Sequence, residues 1–183
     1  MKDLFRPLIE TPMNKVRVVI LGLEPPSMMD CDGLAYSYPR AFQDADLLPT
    51  ALQNIFEEYT HDLSHPMPKS GSLKRWADQG VLLWNQTPSV RQGFPRSHAN
   101  IGWDSLTREI LIELYKRNKN TVFIFFTPKK ENWVDFMPQD AKIVDCGSPA
   151  FVNITEFWGS SPFTKANAML KAAGQNPINW RLA

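Results

Sequence analysis

In GLEPPS, residues 22–27, a run of β-forming residues ends on a glycine and then presents one acid, Glu24, on a backbone stiffened by Pro25 and Pro26. A carboxylate held in that way after a buried strand suits proton transfer or the offsetting of positive charge, and a merely solvated glutamate fits the context poorly. Three further positions follow β-forming runs in the same manner. They are Asn85, whose carboxamide supplies one acceptor and two donors, then Thr127, and then the group Asp145 to Pro149. Metal chemistry is not indicated, because Cys31 and Cys146 have no partners at ligand spacing and only His61, His65 and His98 stand elsewhere. No cofactor is expected.

The elements that must position these groups are read from hydrophobic periodicity. Short apolar runs predict strands over 16–22, 81–85, 121–126 and, more weakly, 141–146. Helical spacing predicts helices over 48–63, 72–79, 103–118 and 163–174, two of them closed by Gly80 and Gly174. A polar loop rich in glycine, proline and arginine spans 89–102. Strands that alternate with helices and carry nearly continuous apolar runs predict an α/β fold with a parallel sheet covered on both faces. In such sheets ligands lie beyond the carboxyl ends of the strands, where Glu24, Asn85, Thr127 and Asp145–Pro149 fall.

A chain of 183 residues, 43% hydrophobic, fits a single domain over 1–183 with a core of its own. The net charge of +1 announces no overall basic field, although one face can still carry a local groove. The first residues lack the apolar run of a signal peptide, and no window reaches the length of a membrane span. The expectation is a reduced, cytoplasmic protein with no membrane contact.

With these positions in view, the chain resembles family 1 uracil-DNA glycosylases from about Val16 to Trp180. That family's Gly-Gln-Asp-Pro-Tyr-His motif stands here as GLEPPS, followed by GLAYS, ALQNIFEE, WADQGVLLWNQTPSVR, SHANIGW and FTKANAMLKAAGQNPINW in the family's order. The resemblance implies a three-layer αβα fold around a four-stranded parallel sheet. It also implies a monomer that binds DNA and flips a base out of the duplex. It makes Tyr36 the ring that stacks on the flipped base and Asn85 the reader of its edge, in a base-binding set with Leu23 and Pro26. Ser89, Arg91, His98 and Ser148 become DNA-backbone contacts, with Arg96 read as solvated loop charge.

The chemistry positions depart from the family pattern. Glu24 replaces its aspartate, which keeps a carboxylate but moves it by one methylene. Pro26 replaces the tyrosine that rejects thymine at C5, Ser27 replaces a histidine, and the adaptable Met28 and Met29 follow. A pocket that excludes by size admits larger substituents once the excluder is gone. In the fourth strand's loop Cys146 takes the place of the histidine that supports the departing base, and a thiol is a weak donor. Asp145 beside it is the alternative acid, provided that it is buried. Ala150 stands at the wedge position, with Phe151 one step on as the apolar candidate.

The leading expectation is therefore a monofunctional DNA glycosylase that releases a bulky C5-modified pyrimidine. Glucosylated hydroxymethyl bases of phage DNA are one such class, and defence against phage is the corresponding setting. Glu24, Asp145 and Cys146 are its catalytic candidates. An inactive DNA- or protein-binding relative and a slow uracil-DNA glycosylase of relaxed selectivity are the alternatives.

Overall fold

In the computed structural model the described residues are 4–27, 31–39, 48–127, 131–150 and 155–182. Four strands, β1 (Val18–Gly22), β2 (Val81–Asn85), β3 (Val122–Phe125) and β4 (Lys142–Val144), pair in parallel in the order β2-β1-β3-β4. The helices are α1 (Arg6–Glu10), α2 (Thr50–Leu63), α3 (Lys74–Ala77), α4 (Trp103–Arg117), α5 (Glu131–Val134) and α6 (Pro162–Ala172).

Every residue of β1, β2 and β3 is buried, which explains why their sequences run apolar without alternation. The pleat divides them between two cores. Val18, Ile20, Leu83 and Ile124 face α2 and α6, where Phe56, Tyr59, Trp76, Phe163 and Trp180 pack. Val19, Leu21, Leu82, Trp84, Phe123 and Phe125 face α4, through Ile110, Leu111 and Leu114. Each such side chain, removed from water, contributes about 1.5–3 kcal/mol, so the two cores carry the three-layer fold.

The elements differ from expectation mainly at their ends. The fourth strand is Lys142–Val144 rather than 141–146, since the chain leaves the ladder at Asp145 to form a loop whose Gly147 N–H donates to the Glu156 carbonyl. α2 starts at Thr50 because Pro49 before it is extended (φ −55°, ψ 135°). α1 and α5, of five and four residues, lack the periodicity that longer helices show.

α6 begins at a left-handed Ser161 (φ 49°) with no cap from its own side chain. The cap comes from α2 instead. Asp62 Oδ2 accepts from the N–H groups of Phe163 and Thr164 (2.9 and 3.0 Å), and the fully buried Glu58 accepts from Gly159 and Ser161 (both 2.8 Å). One turn earlier, Asn54 Nδ2 donates to the Pro149 carbonyl (2.7 Å). α2 thus fixes both α6 and the loop after β4.

The strand order puts the topological switch between β1 and β3. The link from β1 to β2 runs over the α2 face, and the link from β2 to β3 runs over the α4 face. The crevice that such a switch opens lies beyond Gly22 and Phe125.

Candidate active site

The site starts where β1 and β2 end in register, with Gly22 opposite Asn85. Asn85 is buried, 6% exposed. A Cβ on Gly22 would stand 2.5 Å from Asn85 Oδ1 and 3.0 Å from Tyr36 Cε2. Only a residue without a side chain lets the carboxamide and the ring meet over the end of β1. The pairing continues beyond the strands, because Gln86 N–H donates to the Gly22 carbonyl (2.8 Å) and Thr87 N–H to that of the half-buried Leu23 (2.9 Å).

Tyr36 adopts a left-handed backbone (φ 62°), which the surrounding segment imposes. Asp32 Oδ1 accepts from Leu34 N–H (3.2 Å) and its Oδ2 from the Ser37 hydroxyl (3.0 Å), while Arg6 lies 3.4 Å from Oδ2. Ala35 N–H donates to the Leu83 carbonyl and Tyr38 N–H to that of Gly71. Burial pushes the Asp32 carboxyl up, against the pull of these bonds and of Arg6. The Tyr36 hydroxyl donates to the Phe126 carbonyl (2.7 Å), and the two rings meet edge to face at 6.1 Å. Burial first, and then the Cys146 sulfur beside it, raises the phenol far above its ordinary range.

Glu24 is half-buried, and its Oε1 accepts from the Arg96 backbone N–H (2.9 Å). Its Oε2 is buried and has no hydrogen-bond partner among the described residues. Arg96, also left-handed (φ 63°), belongs to the loop 89–102 that docks on residues 23–27. A second tie is Gly93 N–H to the Ser27 carbonyl (2.9 Å). Pro26, between these two anchors, is exposed. Arg96, expected from its type only as a solvated loop charge, is exposed. The group that matters to Glu24 is its main-chain donor, which no residue type announces.

Trp103 at the start of α4 donates from Nε1 to Ser89 Oγ in that loop, and Ser89 Oγ lies against His98 Nδ1, both at 2.9 Å. The Ser89 hydroxyl, expected to grip phosphate, is therefore already engaged with two side chains. Arg91 is exposed, its guanidinium 4.7 Å from the centre of the Phe94 ring.

The loop after β4 comes to the same end of the sheet. Ser148 Oγ donates to the Phe126 carbonyl (3.1 Å), the same oxygen that Tyr36 uses. At Gly147 a Cβ would approach Phe157 N to 2.6 Å. Cys146 is buried, 2% exposed, in the core shared with α2 and α6. Asp145 corrects an expectation. It is exposed and lies with Glu131, Glu156 and Lys165 around a cavity of about 500 Å³ that Cys146 also lines, so the burial that an acid's role required is missing. Phe151, Met28 and Met29 lie outside the described residues.

Glu24, Tyr36, Asn85, Cys146 and Ser148 thus gather around the ends of β1 and β3, and Ser89 and His98 join them on the docked loop. Asp32, Ser37 and Arg6, which set the pose of Tyr36, were missed. The Asp-Gly pair at 32–33 was the available signal, a turn former whose carboxylate bonds the backbone two residues on. Thr127 and Gln86 form a further link, with the Thr127 hydroxyl donating to Gln86 Oε1 (3.2 Å). Among the described residues no group of three or more His, Cys, Asp or Glu is arranged to hold a metal ion, and no helix is long and apolar enough to cross a membrane.

No protein-family model matches the chain. It is 36% identical over 173 residues to the uracil-DNA glycosylase of Mycolicibacterium gilvum, covering 93% of this chain and 75% of that one. It is 37% identical over 184 residues to the uracil-DNA glycosylase of Clostridium beijerinckii, covering 100% of this chain and 80% of that one. Its fold is similar to that of the mimivirus uracil-DNA glycosylase crystal structure, with a TM-score of 0.80 at 20% identity over 97% of this chain and 72% of that one.

Proposed function

The chain belongs to the uracil-DNA glycosylase family and is a DNA glycosylase, and from that premise we propose that it releases a pyrimidine carrying a bulky C5 substituent, flipped from DNA into the crevice beyond β1. One observation carries the reading: on the loop that holds Glu24 inward, Pro26 is turned to solvent. A residue that rejects by bulk must stand over the base, and an exposed proline leaves that edge unguarded. Glucosylated hydroxymethylpyrimidines are the substituent class meant, and defence against phage DNA is the setting.

In the reaction, the bond from the sugar's C1′ to the base nitrogen breaks and its electron pair leaves with the base. The sugar takes on oxocarbenium character, water adds to C1′, and the water's proton is removed. Glu24 suits both needs. Arg96 N–H anchors Oε1, and Oε2, buried and uncommitted, is available to the proton of a water. The same negative charge opposes the positive charge on the sugar.

Tyr36 presents a ring whose hydroxyl is tied to Phe126, so the stacking face is fixed before the base arrives. The buried Asn85 carboxamide reads the edge by offering its acceptor and donors. Ser89, accepting from Trp103, has its proton to give to His98 Nδ1, which leaves Nε2–H as the donor to a backbone phosphate. Ser89 acts in this scheme by positioning His98. Cys146 gives a departing anion little support, which favours a base whose own substituent helps to stabilise it.

Release of uracil itself is the second reading. It is favoured by the Tyr36–Asn85 pair, which accepts any pyrimidine edge, and by the names of the relatives. Base release is measured from duplexes carrying uracil, thymine, 5-hydroxymethylpyrimidines and their glucosylated forms. The expected result is release of the bulky bases, a fall on the order of 10²–10⁴ for Glu24→Gln, and selective loss of the bulky bases for Pro26→Tyr. Release of uracil alone by the wild type overturns the proposal in favour of the second reading.

A further inference from the structure

Phe94 is the most exposed aromatic side chain among the described large hydrophobic residues, at 56%. A bare ring in water is ordinary on a loose surface, but the backbone that carries this one is tied into a hydrogen-bonded turn. Its N–H donates to the Arg91 carbonyl (3.0 Å), its carbonyl accepts from Ser97 N–H (3.2 Å), and the Ser97 hydroxyl accepts from Arg91 N–H (2.8 Å). Pro95 follows, with its own φ locked by its ring, and restricts the backbone of Phe94 before it. Either side of Phe94 the loop is pinned to the Glu24 loop, at Gly93 to Ser27 and at Arg96 to Glu24.

The surroundings select a polyanion. No Asp or Glu occurs between Gln86 and Asp104, while Arg91 and Arg96 are both exposed and His98 is half-buried. The Arg91 guanidinium lies over one face of the Phe94 ring at 4.7 Å from its centre. An aromatic face backed by a cation and flanked by further positive charge is the composition on which nucleobases stack without regard to sequence.

We propose that Phe94 is a stacking platform for a nucleobase adjacent to the flipped nucleotide, with Arg91 holding the ring and meeting the neighbouring phosphate. The proposal rests on the chain's action as a DNA glycosylase and adds the residue that steadies the strand once the target base has left the stack. The vacated neighbour gains a partner for the face it has lost, and the ring leaves water.

The test measures affinity for a duplex carrying a tetrahydrofuran abasic analogue, with 2-aminopurine on either side of the lesion. Its fluorescence falls when it stacks. Phe94→Ala, Phe94→Trp and, as a control, Ile9→Ala at an exposed site on α1 are compared with the wild type at matched thermal stability. The expected result is binding weakened about 5- to 100-fold by Phe94→Ala, with loss of the quench on one side. Phe94→Trp retains both, and Ile9→Ala changes neither. Wild-type affinity and quench in Phe94→Ala, from an enzyme that still releases base, overturn the platform and leave the glycosylase intact. A wild type that neither binds this duplex nor releases any base overturns both.

Discussion

Gly22→Ala adds one methyl group to the site and tests its geometry directly. The new Cβ would lie 2.5 Å from Asn85 Oδ1 and 3.0 Å from Tyr36 Cε2, so the carboxamide and the ring must both withdraw. A separation nearer 3.4 Å from Oδ1 requires a movement of about 1 Å, and displacement of that size costs on the order of 100-fold in rate. Forcing a methyl into a packed site costs about 1–3 kcal/mol, while alanine recovers about 0.5–1 kcal/mol relative to glycine in an extended strand. The net loss of stability is therefore about 0–2.5 kcal/mol, and the loss of activity far outweighs it. Single-turnover base release and urea denaturation, run on the same preparation, separate the two effects. A variant that is destabilised yet releases base at the wild-type rate would refute the claim that Asn85 and Tyr36 must meet over Gly22.

Glu58→Gln removes the charge and one of the two acceptors that hold Gly159 and Ser161 N–H, and it puts an amide N–H against a backbone N–H. A loss of about 2–4 kcal/mol is expected, and a loss within 0.5 kcal/mol in urea denaturation contradicts it. Tyr36 makes a pH prediction. Its folded pKa is raised above the ordinary 10.0, so above that pH the unfolded chain sheds a proton which the folded chain keeps. The stabilisation is complete below pH 10 and is lost as pH rises, by up to about 1.4 kcal/mol per pH unit. Tyr36→Phe should flatten the alkaline limb of stability against pH, leaving the share of Tyr59, which burial also raises. An unchanged limb contradicts the burial of the phenol.

The sheet was legible because its strands are buried on both faces, and burial on both faces leaves a continuous apolar signature. β2 falls on the expected residues, and β1 and β3 differ only at their ends. β4 was less so, since Lys142 and Ile143 are half-buried and the chain turns away at Asp145. In the site, Asn85 and Glu24 could be found from their places after strands. The Arg96 bond to Glu24 could not, because a backbone N–H carries no residue identity, and the left-handed turn that aims it is shared by a non-glycine residue. The exposure of Asp145 and the burial of Cys146 depend on which way the loop after β4 turns. That turn is set by Gly147 packing against Phe157, a contact ten residues away in the chain.

Asn54, Glu58 and Asp62 follow one another at intervals of a single helical turn, so they line one stripe of α2. Each holds a segment about a hundred positions later in the chain, Pro149, Gly159 with Ser161, and Phe163 with Thr164. Such separations make these among the costliest loops to close during folding. The stripe has none of these partners until residues 149–164 are present in the chain. On a ribosome, a chain halted before residue 149 has its sheet encoded in full while none of the three anchors beyond β4 can yet form. The anchoring of α6 and of the loop after β4 thereby waits on residues 149–164.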